Sequence, residues 1–154
     1  MKTQTIGLTL AISFLVAAVS FAADPQMGTW KLNAAKSKAT AGMGKVTMVT
    51  YKNMLGNVKV SVDGVDAKGK PTHSEWSGKI DGKDYPVTGD PSSDARSYTK
   101  VNDRTMDFAV KRGGRTMITG RIVVAADGKS RTVTTTGNDS NGKKLKTASV
   151  YDKQ

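Results

Sequence analysis

Between Trp76 and Pro91 the chain reads WSGKIDGKDYPVTGDP, sixteen residues that reverse direction twice. A strand-like run ends at Asp81-Gly82. Tyr85-Pro86-Val87 makes a short extended piece, and Gly89-Asp90-Pro91 turns the chain again. Asp-Gly flanked by alternating apolar residues is a strong hairpin signal, because a type I′ turn needs positive φ at both central positions. The rest of the chain repeats the theme of short strand, glycine turn and strand. No long stretch with a helical period interrupts it after residue 22, so an all-β domain is expected.

Residues 1–22 stand apart from that pattern. Lys2 is followed by an apolar run from Ile6 to Phe21, and Ser20-Phe21-Ala22 supplies small residues for cleavage before Ala23. This is the pattern of a secretory signal peptide. A membrane anchor is the less fitting reading, since a span needs about 20 predominantly apolar residues. The expected product is one domain, residues 23–154, soluble and without a transmembrane segment, in the periplasm or outside the cell. There is no cysteine. That removes a thiol nucleophile, a cysteine zinc site, a disulfide and a lipid anchor, and leaves stability to the core alone.

The net charge is +11. A basic chain of this kind suits an anionic partner, such as an anionic envelope surface. Specific nucleic-acid binding is not expected, because the Lys and Arg residues are scattered and no aromatic platform accompanies them.

Taken in order, Met27–Leu32 is the first strand and Asn33–Gly44 a connector with room for one helical turn. Val46–Tyr51 and Val58–Val62 alternate as half-buried strands. Asp63-Gly64 and Lys68-Gly69 break the chain before Thr72–Ile80, where Trp76 and Ile80 mark the buried face. Arg96–Val101, Met106–Val110, Arg115–Ala126, Arg131–Thr136 and Leu145–Tyr151 follow. The expected architecture is a single antiparallel up-and-down β-barrel of about eight to ten strands, because closure removes exposed sheet edges.

Gly28-Thr29-Trp30-Lys31-Leu32 near the start, hairpin-linked strands between, and Val150-Tyr151-Asp152-Lys153 at the end resemble the calycin barrels. The likeness is to lipocalins, to fatty-acid-binding proteins and to small exported bacterial lipocalin-like proteins. It implies a barrel holding a small apolar ligand, with Trp30 structural at the closed end. The fatty-acid-binding pattern has Arg-x-Tyr in its last strand. Here Tyr151 is retained and Ser149 stands in place of the Arg. That family's two-helix lid has no room in Asn33–Gly44.

The inner face collects Val58, Val60, Val62, Trp76, Ile80, Met106, Phe108, Val110, Ile118, Ile122, Val124, Leu145 and Tyr151, with small polar residues between them. A barrel of this size is either filled by side chains or holds one small ligand. Trp76, Met106, Phe108, Tyr151 and Ser149 are the candidate ligand-binding residues. Met106 and Met117 are expected to fill the core. Arg121 and Arg131 are expected to face outward, because an unpaired inward charge is costly; facing inward, either would offer a partner to an anion.

Catalytic and metal-binding equipment is sparse. His73 is the only histidine. It shares a strand face with Glu75, is expected to be exposed, and has no serine elbow beside it. Asp63, Asp81, Asp127 and Asp139 read as turn residues. Asp139–Gly142 lacks the further acidic ligands of a calcium loop. No cofactor, metal or catalytic residue is expected. Two functions remain: a non-enzymatic, monomeric binding protein for a small apolar or amphipathic ligand, and a basic envelope-interaction protein with a filled barrel.

Overall fold

Alternation of β-branched and polar residues, cut at glycine turns, produces ten strands in the computed structural model, which describes residues 23–38, 44–138, 142 and 144–154. The proposed leader at 1–22 and Asp139–Asn141 of the calcium-like loop lie outside the described residues. The strands are β1 (Gly28–Leu32), β2 (Lys45–Met54), β3 (Asn57–Val65), β4 (Pro71–Gly78), β5 (Tyr85–Thr88), β6 (Ala95–Asn102), β7 (Thr105–Arg112), β8 (Arg115–Val124), β9 (Ser130–Asn138) and β10 (Lys144–Lys153). Each pairs antiparallel with its neighbours in sequence, and β1 pairs with β10 through Trp30↔Lys153 and Leu32↔Tyr151. The sheet is therefore a closed up-and-down barrel. Closure supplies a ladder partner to strands that would otherwise be edges. Among the described residues no helix is long and apolar enough to cross a membrane. The connector after β1 forms a single 3-10 turn at Ala34–Lys36, with the Asn33 side chain accepting from the Lys36 amide.

The Trp76–Pro91 stretch departs from the expected tight hairpin. β4 ends at Gly78, and six residues separate it from the short β5. Gly78 lies under aromatic rings: a Cβ there would strike Tyr85 and Trp76. Asp81 bridges to Thr99, and the Gly82 amide donates to the Tyr98 carbonyl across 2.8 Å. Asp81-Gly82 thus reverses the chain between the antiparallel β4 and β5 as expected, but within a longer loop that packs against β6. Asp63 also differs from its reading as a turn residue. β3 continues through it to Val65, and Asp63 stands opposite His73 of β4. Local turn chemistry yields here to the cross-strand ladder.

One cluster fills the closed part of the barrel: Trp30, Val49, Tyr51, Val58, Val60, Trp76, Val87, Tyr98, Met106, Ile122, Val124 and Tyr151. Tyr98 is its hub. Its ring meets Trp76 edge-on at 4.7 Å, Tyr51 at 6.2 Å and Phe108 at 6.0 Å. Such edge-to-face pairs add about 0.5–1.5 kcal/mol each beyond the area they bury.

Candidate ligand site in the barrel interior

The site begins with the pleat. On β6–β10 the inward residues form rows that pair directly across the ladder: Met106, Ile122, Val133 and Ser149; then Tyr98, Phe108, Gly120, Thr135 and Thr147; then Arg96, Val110, Ile118, Gly137 and Leu145. The first row starts fully buried, whereas in the last row Ile118 is 36% exposed despite facing inward. The interior is packed at the Trp30 end, and burial falls along β8–β10 toward the Gly113-Gly114 end, while Arg96 and Val110 of the same last row stay buried. On the open side the β8–β10 wall carries Gly120, Thr135, Gly137, Thr147 and Ser149, residues with little or no side chain. Thr135 and Thr147 hydrogen-bond to each other across that wall.

Two arginines stand inside. Arg131 is 2% exposed, which overturns the expectation that it faces outward. Its guanidinium lies 4.8 Å from the Trp30 ring, 5.0 Å from Tyr51 and 5.3 Å from Tyr151. Three π faces thus replace the carboxylate whose absence had argued for an outward side chain, since a desolvated cation–π contact contributes about 2 kcal/mol or more. Trp30 is fixed in turn by donating its Nε1–H to the Gln26 carbonyl at 2.9 Å. This group is a structural plug at the closed end.

Arg96 is different. It is 8% exposed, its Nε–H has no acceptor among the described residues, and its one side-chain contact is Nη1 to the Tyr98 hydroxyl at 3.5 Å. It takes part in none of the ion pairs among the described residues. Asp90 is the carboxylate whose charge acts on it, and that carboxylate already accepts from Ser92 and Ser93 at 2.6 Å each. Tyr51 lies beyond Tyr98, and burial, reinforced by Tyr98, pushes its phenol above the usual tyrosine range. Tyr51 is therefore neutral at ordinary pH and carries a proton to donate.

The five candidate ligand residues all face inward, at two depths. Trp76, Met106 and Tyr151 are buried at 1%, 3% and 5% exposure and belong to the packed core. Trp76 donates to the Arg96 carbonyl at 2.8 Å, which ties the core to the backbone carrying the unpaired arginine. Tyr151 donates to the Val46 carbonyl at 3.2 Å. Phe108 and Ser149 are half-buried and reach the open half. Met117 departs from expectation: it is 49% exposed on the outer face, one residue out of phase with Ile118. Arg121 is outward as expected, clamping Asp107 through Nε and Nη2 at 2.7 and 2.8 Å. This pair borders an outer hollow of about 420 Å³ that also involves Ser97, Thr99, Thr119 and Thr134. Sequence reasoning missed Arg96, Tyr98 and Tyr51. The available signal was the two-residue spacing of Arg96 and Tyr98 on a strand.

His73 lies outside the barrel, its Nδ1 at 2.7 Å from Asp63 and its Nε2 at 3.7 Å from Glu75. The Asp63 hydrogen bond raises its pKa above the ordinary 6.5. Among the described residues no group of three or more His, Asp or Glu side chains is placed to hold a metal ion.

No family model matches this chain, and no curated protein matches it. Solved structures with similarity include a redesigned beta barrel, mFAP1, bound to DFHBI, at 14% identity and TM-score 0.46 over 84% of this chain and 95% of that one. EF1p2_mFAP2b bound to DFHBI aligns at 10% identity and TM-score 0.48 over 84% and 94%.

Proposed function

We propose that this protein is an exported, lipocalin-like, non-enzymatic binding protein for a small amphipathic molecule that carries an anionic group. The observation behind this reading is Arg96, a buried guanidinium inside the barrel with an idle Nε–H, no carboxylate partner and, unlike Arg131, no aromatic face over it among the described residues. Burying such a charge unpaired is costly, and an anion restores both the charge balance and the hydrogen bond. The neighbouring Tyr98 hydroxyl, with Tyr51 behind it, adds neutral donors. The apolar part of the ligand would lie along Phe108, Val110 and Ile118, opposite the small residues of β8–β10. Trp76, Met106 and Tyr151 form the floor that holds this wall in place.

The test uses an amphipathic organic anion, 1-anilinonaphthalene-8-sulfonate, followed by its fluorescence and displaced by palmitate. Saturable binding with one site per chain is expected. Arg96→Met should weaken it about tenfold or more, in line with the loss of a charge-assisted hydrogen bond. Absence of saturable binding, or equal affinity in Arg96→Met, would overturn the reading.

A further inference from the structure

Most exposed apolar side chains need no explanation, but the turn between β2 and β3 combines three features that disfavour it in water. Leu55 is 107% exposed and Met54 beside it 52%. Leu55 also has φ of +43°, the left-handed region, followed by Gly56 at +91°. A two-residue turn of this kind is normally built from Asn-Gly, because a Cβ-bearing residue other than Asn or Asp pays for left-handed φ. Leucine is therefore unfavourable here both as a turn residue and as a surface residue. Finally, Lys52 and Lys59 stand directly opposite each other across the neck of the hairpin, on its outer face. Like charges so placed repel. Lys59 has a carboxylate at 2.8 Å in Glu75, whereas Lys52 has none among the described residues.

We propose that this hairpin tip docks the barrel on an anionic lipid surface, with Leu55 and Met54 entering the acyl boundary and Lys52, Lys59 and Lys79 lying against the headgroups. Lys79 belongs beside them because it follows Gly78, which pairs with Val58 next to the tip. Three residues of strand separate Lys52 from Leu55, about 10 Å at the rise of a β-strand. That matches the roughly 5–10 Å depth to which interfacial apolar side chains sink below the headgroups. A chain of net charge +11 supplies the long-range attraction. An anionic bilayer removes two of the three penalties, covering the apolar pair and neutralising the facing lysines, and gives a strained leucine at the turn a use. The inference is independent of any ligand inside the barrel.

The absence of cysteine makes the test direct. Leu55→Cys carrying an environment-sensitive nitrobenzoxadiazole label should shift to the blue on vesicles of mixed phosphatidylglycerol and phosphatidylcholine, and should not respond to phosphatidylcholine alone. Lys68→Cys, labelled in the turn at the opposite end of the barrel, should stay in water in both. The unlabelled protein recovered from the producing cells should lose about tenfold in vesicle affinity on Leu55→Asn, the order expected for withdrawing one leucine from the interface. Asparagine suits the left-handed turn, so that loss comes without loss of fold. A silent label at residue 55, an equal shift at residue 68, or unchanged vesicle affinity in Leu55→Asn would overturn the proposal.

Discussion

The two interior arginines share a residue type and a burial class, yet they play opposite parts. Arg131 is surrounded by the rings of Trp30, Tyr51 and Tyr151, so its charge is compensated by the fold. Arg131→Ala should cost about 3 kcal/mol, combining lost cation–π contact with a cavity beneath Trp30. Urea denaturation measures it, and a cost below about 1 kcal/mol would contradict the plug assignment. Arg96, by contrast, has only a long contact to Tyr98. An unpaired buried charge costs the free protein stability, so Arg96→Met should not weaken the fold and reveals itself in ligand affinity. Leu55 is the third residue whose chemistry and position disagree. Leu55→Asn should raise stability by about 0.5–1 kcal/mol, because asparagine tolerates left-handed φ where leucine is strained. The midpoint of thermal unfolding checks it, and a fall would show that Leu55 packs usefully. Neither Arg96 nor Leu55 was singled out from the sequence. Arginine in a strand reads as surface by default, and leucine before glycine reads as an ordinary apolar residue. Only their surroundings in the folded chain reveal the mismatch.

Strand elements show where local signals suffice. β3 carries Val58, Val60 and Val62 inward by strict alternation, and the ladder keeps that register through Trp76 and Ser74 of β4. The outer face of the same pair carries Asp63–His73 and Lys59–Glu75, a polar string that the alternation also implies. His73 binds its proton more tightly in the folded state, mainly through Asp63. Its contribution is therefore fully present below the unfolded value of 6.5 and is lost as pH rises through the higher folded value. His73→Gln should flatten the slope of melting temperature against pH in that window, lowering the melting temperature below 6.5 and leaving the alkaline side unchanged. A slope identical to the parent would show the pair to be energetically silent. Where turns were read as hairpins the outcome was mixed. Asp81-Gly82 does reverse the chain between β4 and β5, but in a six-residue loop that leans on β6, since Gly78 ends β4 under the ring of Tyr85. A turn motif specifies φ and the reversal, not the length of the loop or the strand it packs against.

At the scale of the whole molecule, ten strands share one core and one closed ladder, and both tryptophans lie in that core. Unfolding should then be a single transition, with tryptophan fluorescence and far-ultraviolet circular dichroism coincident in denaturant. Separated transitions would mean that the open half melts independently of the Trp30 end. The period-two pattern and the regular glycine turns were enough to determine an all-β chain of about ten strands and to name most of its inward face. These signals are local: each strand's alternation states which side is apolar, and each turn states where direction reverses. Which inward positions form floor and which form open wall was decided by closure. Closure places Trp76 and Tyr151 in the packed core and leaves Ile118 exposed toward the Gly113-Gly114 end, and that placement depends on how β1 meets β10. The inward turn of Arg131 was likewise decided by tertiary structure, because the rings that compensate it come from β1, β2 and β10, far apart in the chain. Sequence reveals the cost of burying a charge; only the assembled barrel shows what offsets it.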